Sequence, residues 1–491
     1  MSREDWKSVV DSKIWEWKTP AASSSSTEIG GDILPGLMLS YEDLPYYLKS
    51  CFVYCCIYPK DYEIKIGSLI MQWVAHRLIE VGIDVEATTN QYIEDLIRWC
   101  LIEEIDLKSI KFHDILHDLA LYIGAREYGH ASTTEHTRHL SLHGVHDAEA
   151  HKHNILETAN KVCTLFADSN SYLQVYIEHL TNFKWLRVLS LRGCEMDELP
   201  KSIEYLSFVK YLDQSKSKVR RWPSSICRLY NLQTLDLNYS KIEELPKEMG
   251  ELCNLRYLGL KWTWELKFIA EGLGKLTNLR TLHRFVACDD KGDTKGCDIM
   301  ELKDLNKLQE ELSIQGIAQL LKEKHGIISL QFYFGITGGV SEHSNDEQSG
   351  ALEALEPPLG LECFEIGDYK GKMPVWHLNT KYTKLHSLKL ERCHLWEKLI
   401  SITSLKVLND MNCPALCEIA STPALESLMV EECCSLERLP HHMPALKWLD
   451  VPLCDSLEQL PHHMPALKSL MVWACDILKA LVNMPAWSHW M

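Results

Sequence analysis

Apolar residues recur in the middle of this chain with a fixed beat. Leu186–Cys194 reads LRVLSLRGC, and the same frame returns at Val209–Ser217, Leu232–Ser240 and Leu255–Thr263, each copy starting 23 residues after the last. Leu199-Pro200, Trp222-Pro223 and Leu245-Pro246 punctuate the intervals at the same period. A unit of about 20–29 residues headed by LxxLxL is a leucine-rich repeat. One unit cannot bury its own apolar edge, so neighbours must stack. The pattern predicts parallel strands at 186–192, 232–238 and 255–261 in one continuous curved sheet. Leu189, Leu191, Leu235, Leu237, Leu258 and Leu260 are its expected buried positions. The copy at Val209 is the weakest, because Gln214 stands where the others place their second inward leucine.

Upstream the period changes. Asp5–Trp17 reads as a short helix and Thr19–Gly31 (TPAASSSSTEIGG) as a linker. Helical stripes follow: Leu69, Ile70, Trp73, Val74, Leu78; then Tyr92, Ile93, Leu96, Ile97, Leu101; then Ile115, Leu116, Leu119, Ala120, Ile123. Between the last two, Leu101–Phe112 alternates enough for a small hairpin. Three helices and a hairpin predict a winged-helix domain over 32–128. Residues 129–182 form a transition, in which Leu140–Val145 and Val162–Ala167 are candidate irregular repeat strands. Repeats fill 183–491, with loops near 288–300 and 335–350. The expected fold class is α/β: a helical winged-helix domain followed by a leucine-rich-repeat solenoid with a curved parallel sheet.

Charge narrows the function. Across 491 residues the formal net charge is −17, which disfavours general binding to nucleic acid or membrane surfaces. Winged helices can bind DNA through a basic face, but Tyr41–Glu127 carries 8 Lys and Arg against 15 Asp and Glu, a balance of −7. No apolar run of about 18 residues occurs, so no membrane span is expected. The start, MSREDWKSVV, lacks the apolar core of a signal peptide. The 18 cysteines therefore read as reduced thiols in a cytoplasmic or nucleo-cytoplasmic protein. Cys393, Cys413, Cys433, Cys454 and Cys475 recur every 20 or 21 residues, where a repeat turns out of its strand. Packing explains that column better than a metal or redox ladder, since CxxC pairs are lacking.

Candidate chemistry is sparse. His113-Asp114-Ile115-Leu116-His117 places two imidazoles four apart, as in a zinc helix, but no third ligand follows on a partnered element. His441-His442 and His462-His463 read as solvated turns within LPHHMPALK, which occurs at Leu439–Lys447 and again at Leu460–Lys468. No GxxxxGK[ST] phosphate loop is present, and Gly272–Thr277 lacks its spacing. No catalytic residue, metal site or cofactor of its own is assigned to this chain. Contact with proteins is the expected activity, through strand residues between the leucines: Arg187, Ser190, Arg192, Gln233, Asp236, Asn238, Arg256, Tyr257 and Lys261.

The stretch Cys51–Ile79, CFVYCCIYPKDYEIKIGSLIMQWVAHRLI, resembles the second ARC subdomain of plant nucleotide-binding, leucine-rich-repeat disease-resistance proteins. Ile33–Ser50 is similar to the same family, and Phe112–Ala120 (FHDILHDLA) resembles its MHD motif. Glu4–Trp17 resembles the segment after the family's GLPLA motif, and Leu302–Ile317 a repeat variant of its coiled-coil branch. The resemblance implies an intracellular immune receptor, held off by ADP and released by ATP. Its repeats restrain the nucleotide-binding module and sense a pathogen effector or a guarded host protein. It also implies that His113 reaches the β-phosphate of ADP, with Asp114 beside it. Phe112 replaces the motif's Met, and His76-Arg77-Leu78 stands where the family often has Glu-Gly-Phe, which bears on the local helix end. On this reading the coiled coil, P-loop and GLPLA helix lie before Met1, and the chain opens inside the first ARC subdomain. The alternative is a repeat adaptor or decoy without a nucleotide switch.

Overall fold

The apolar stripes form helices in the computed structural model, which describes residues 34–79, 85–130, 133–143, 148–169, 176, 178–269, 271–286, 299–315, 326–334, 349, 352, 357–374, 381–399 and 401–475. The helix expected at Asp5–Trp17, the linker after it and most of the two expected loops lie outside these residues. Packing divides the chain into two compact units. One comprises residues 1–196, Pro200–Gln214 and Asn231–Thr234, and the other holds the remainder.

In the first unit, α1 (Leu34–Glu42), α2 (Tyr46–Tyr54), α3 (Ile66–His76), α4 (Val85–Arg98) and α5 (Asp114–Gly124) surround a wing. The wing is β1 (Ile64–Lys65), β2 (Glu103–Asp106) and β3 (Ser109–Lys111), antiparallel in the order β1-β3-β2. Leu48, Phe52, Trp73, Leu96, Ile110 and Leu119 share one core cluster, so the helical spacing of the sequence does bring its stripes together. The end of α3 is a Schellman turn: Leu78 N donates to Trp73 O at 2.9 Å and Arg77 N to Val74 O at 3.0 Å. Arg77 holds the left-handed position of that turn, at φ 61°.

Parallel strands follow: β4 (Tyr128–His130), β5 (His139–Ser141), β6 (Thr164–Phe166), β7 (Val188–Ser190) and β8 (Tyr211–Asp213), each paired to the next. A further helix, α6 (Ala148–Thr158), separates β5 from β6. Leu140, Leu165, Leu189 and Leu212 stand opposite one another along the ladder and are fully buried. The irregular strands expected near 140 and 164 are thus β5 and β6.

The same frame gives β9 (Thr234–Asp236), β10 (Tyr257–Gly259) and β11 (Thr281–Leu282). Leu235, Leu237, Leu258 and Leu260 are buried as expected, and β10 pairs with β11 in parallel. In the second unit another parallel sheet starts at Arg284–Val286 and runs through Glu310–Gln315, Ile327–Tyr333, Cys363–Gly367 and Ser387–Glu391. It continues through Val407–Met411, Ser427–Glu431, Trp448–Pro452 and Ser469–Trp473. The Leu-Pro punctuation starts short 3-10 turns at Lys201–Tyr205 and Lys247–Glu251, each preceded by an extended proline whose ring fixes φ. The five periodic cysteines are all buried and free, and their thiols point at strand carbonyls; Cys454 Sγ lies 3.4 Å from Val430 O and Cys475 Sγ 3.2 Å from Val451 O.

Candidate functional site

The chain leaves β3 through Phe112, which is buried with its ring 5.3 Å from that of Phe52. That anchor fixes where α5 begins. His113 is extended at φ −68° and ψ 139°, and its Nδ1 accepts from Ile115 N at 3.4 Å, which makes it the cap of the helix. Asp114 is the first helical residue, where a carboxylate is favoured by the helix dipole. Both side chains are exposed, whereas Leu116 and Leu119 are buried and Ile115 packs partly against the core. Ion pairs flank this start: Lys111 with Asp61 and Lys60 with Asp118, each at 2.6 Å.

His117 turns the other way. Its Nε2 meets Tyr58 O at 2.8 Å, and burial pulls its pKa below the usual histidine value. The two imidazoles therefore do not form a zinc pair, and among the described residues no group of three or more His, Cys, Asp or Glu is placed to hold a metal.

A second feature of the first unit is where α3 lies. Met71 and Ala75 pack on Val188 of β7 and Tyr211 of β8. Thr234 Oγ1 donates to Met71 Sδ at 3.3 Å. His76 Nε2 and Thr164 Oγ1 are 2.6 Å apart, and the same hydroxyl lies 2.9 Å from His139 Nδ1. The His139 ring stacks on Tyr128, with centroids 4.5 Å apart. Burial, with Arg138 and Arg187 nearby, pushes the His139 pKa down to about 3. Farther along, Tyr62 OH donates to Asp168 Oδ2 at 2.7 Å and Ser190 Oγ to Asp168 Oδ1 at 2.5 Å. Burial and the neighbouring Asp213 carboxylate raise the Asp168 pKa well above the ordinary range.

The strand face expected to meet partners is thus covered, in this unit, by the chain's own winged helix. Ser190 retains 1% of its accessible surface, which corrects its placement among the partner-facing residues. Arg187, Arg192 and Gln233 are half-buried at the margin of the covered face. In the second unit Asp236 is buried too, at 8% exposure. Asn238, Tyr257 and Lys261 come together there: Asn238 Nδ2 donates to Tyr257 OH at 3.1 Å, Lys261 N donates to Asn238 Oδ1 at 2.7 Å, and Lys261 Nζ pairs with Glu311 at 2.5 Å. Arg256 is exposed. The spacing of leucines missed the exposed aromatics beside them. Tyr239 and Trp262 stack 6.1 Å apart and Trp264 meets Trp262 edge-on at 5.3 Å, with Trp262 53% exposed. Their signal was available, since Tyr239 and Trp262 occupy the same frame position 23 residues apart.

Residues 57–120 match the winged-helix domain of disease resistance proteins, and residues 163–396 match a leucine-rich repeat region. The candidate disease resistance protein RGA1 of Solanum bulbocastanum is 33% identical over 442 residues, covering 86% of this chain and 40% of that protein. The disease resistance protein RGA2 of the same species is 29% identical over 441 residues, with the same coverage of 86% and 40%. In Arabidopsis thaliana, the disease resistance RPP13-like protein 1 is 27% identical over 443 residues, covering 83% of this chain and 41% of the relative. The chain therefore spans about two fifths of the length of these relatives. Among solved structures, the functional domain of InlJ from Listeria monocytogenes is 14% identical, with 65% of this chain and 64% of that chain covered at a TM-score of 0.44.

Proposed function

Because this chain belongs to the plant disease resistance proteins, with their winged-helix domain and leucine-rich repeats, we propose that it is the part of an immune receptor that couples recognition to a nucleotide switch. In this reading the repeats make protein contacts with a pathogen effector or a guarded host protein. The winged helix passes the outcome to an ADP-binding module, in which His113 meets the β-phosphate and Asp114 holds the helix start. The observation that carries the reading is the docking of α3 on β7 and β8, through Met71 and Ala75 against Val188 and Tyr211. That contact joins the first repeats to the domain that also presents His113 on an exposed helix cap, so the covered strands restrain and the uncovered residues remain free to recognise. No membrane-crossing helix occurs among the described residues, and the proposed location is the cytoplasm.

The test joins this chain to a nucleotide-binding module of the family and reads cell death in leaves without any effector. His113→Ala or Asp114→Val should raise spontaneous signalling. In the chain alone the same changes should cost no more than about 1 kcal/mol, the low end for loss of a helix cap, because the bond from Ile115 N to His113 is long at 3.4 Å. The chain alone, having no phosphate loop in its sequence, should show no ADP affinity tighter than roughly 10 μM by calorimetry. A joined His113→Ala variant that accumulates normally yet stays silent would overturn the role of His113.

A further inference from the structure

A cavity of 630 Å³ lies in the first unit along the start of the parallel strands, away from the His113 helix cap. Arg126, Arg138, Lys161 and Arg187 line it, together with Cys163 and Trp185. Two glutamates, Glu127 and Glu135, also reach its wall, so four fixed cations face two carboxylates in a chain of net charge −17. Among the described residues no carboxylate lies within ion-pair distance of Arg126, Arg138 or Arg187. Lys161 Nζ spends one donor on Glu135 O at 2.9 Å and keeps its charge unpaired.

The backbone places these cations deliberately close. Cys163 N donates to Arg138 O at 2.7 Å, Arg187 N to Cys163 O at 2.8 Å and Lys210 N to Arg187 O at 2.8 Å. Arg138, Cys163, Arg187 and Lys210 are therefore successive rungs of one column, about 4.8 Å apart. Arg138 and Arg187 sit two rungs apart, and between them stands only the short side chain of Cys163. The backbones that carry the two arginines are therefore about 10 Å apart, and the Arg138 side chain reaches the Cys163 thiol between them, on the wall of the cavity. The thiol reports the local field: burial raises its pKa, while Arg187 and Arg138 act against that rise. Trp185 contributes a half-exposed indole on the same wall.

We propose that this cavity is a site for a phosphate chain of two or more groups, clamped between Arg138 and Arg187. Guanidinium forks bind phosphate oxygens in pairs, and two forks across a small residue suit a chain of phosphates better than a single ion. The shared chemistry fits a free polyphosphate or the phosphate tail of a nucleotide. The site is independent of the proposed switch, because His113 does not line it.

Calorimetry with the whole chain at low salt tests it, using tripolyphosphate, pyrophosphate and ADP as probes. Tripolyphosphate should bind with Kd on the order of 100 μM, weakening as salt is added. The double variant Arg138→Ala, Arg187→Ala should lose at least roughly tenfold with an unchanged circular-dichroism spectrum, and His113→Ala should lose nothing. Pyrophosphate and ADP binding equally assigns the site to phosphate alone. ADP binding tighter, with the difference lost in Trp185→Ala, assigns it to a nucleotide tail. Absence of heat at millimolar tripolyphosphate, equal binding by the double variant, or a decaglutamate peptide binding as tightly as tripolyphosphate overturns the proposal. The last result would make the groove a contact for an acidic protein segment.

Discussion

Replacing Gln214 with leucine should make this protein more stable. Gln214 follows β8 at the position filled by Leu191, Leu237 and Leu260 in the neighbouring copies, all of them fully buried. Gln214 is equally buried, and neither its amide nitrogen nor its amide oxygen has a hydrogen-bond partner. A buried polar group left unpaired costs about 1–3 kcal/mol. A leucine side chain of similar length removes that cost and adds apolar contact, of which the buried methylenes of glutamine already supply part. The expected gain is about 2 kcal/mol. Urea unfolding followed by circular dichroism measures it, and amide exchange at β7 and β8 locates it, because repeats couple chiefly to their neighbours. Leu212→Ala serves as the opposite control and should lose about 2–5 kcal/mol. If Leu212→Ala behaves so while Gln214→Leu is neutral or destabilising, the Gln214 amide is satisfied, by a buried water for example, and the reasoning fails.

Other outcomes follow from the first unit. Arg77→Gly should stabilise by about 1 kcal/mol in the same unfolding assay, since glycine adopts the left-handed turn after α3 without steric cost. His139 has a folded pKa depressed to about 3, so the unfolded chain takes its proton first. Its contribution is fully present above about pH 6.5 and is lost as pH falls toward 3; His139→Leu should flatten the acid limb of stability against pH by up to about 1.4 kcal/mol per pH unit. Ala75→Arg should expel α3 from Val188 and Tyr211, costing at least about 3 kcal/mol and exposing the segment to limited proteolysis. An Ala75→Arg protein as protease-resistant as the parent would remove the docking contact from the argument.

The parallel strands were legible because their cause is local and repeated: each leucine column is spelled by the same frame every 23 residues. The wing was legible in the alternation of Leu101–Phe112, and the cap of α5 in the polar pair His113-Asp114 ahead of an apolar stripe. Coverage of the strand face was not, because Val188 and Tyr211 are covered by a helix more than 100 residues upstream, and no periodicity within the repeats records that partner. The burial of His117 was not legible either: its helical spacing from His113 says nothing of Tyr58 O, the carbonyl on which the fold spends it. Asp410 hid for a related reason. It occupies a leucine position of its repeat, and only burial shows its carboxyl enclosed near Cys433, with its pKa raised to about 6 by desolvation. Trp262 and Tyr239 fell in frame but outside the leucine pattern, where the repeat rule places no demand on residue type.

The copied LPHHMPALK segment bears on how such a protein lengthens over generations. Leu449 pairs with Leu470 and Trp448 with Ser469, and the imidazoles of His442 and His463 lie parallel, 4.8 Å apart. A stretch of DNA encoding 21 residues, copied in place, therefore yields a rung that fits its template without any compensating change elsewhere. Unequal exchange between such copies adds or deletes whole rungs, never fractions of one. Each event lengthens or shortens the stack by about one strand width and leaves the older leucines in register. Novelty then accumulates at the outward residues of the new rung, where Met471 and Trp473 are exposed. Selection can thus try a fresh outer surface on the copied rungs while the first repeats stay fastened to the winged helix.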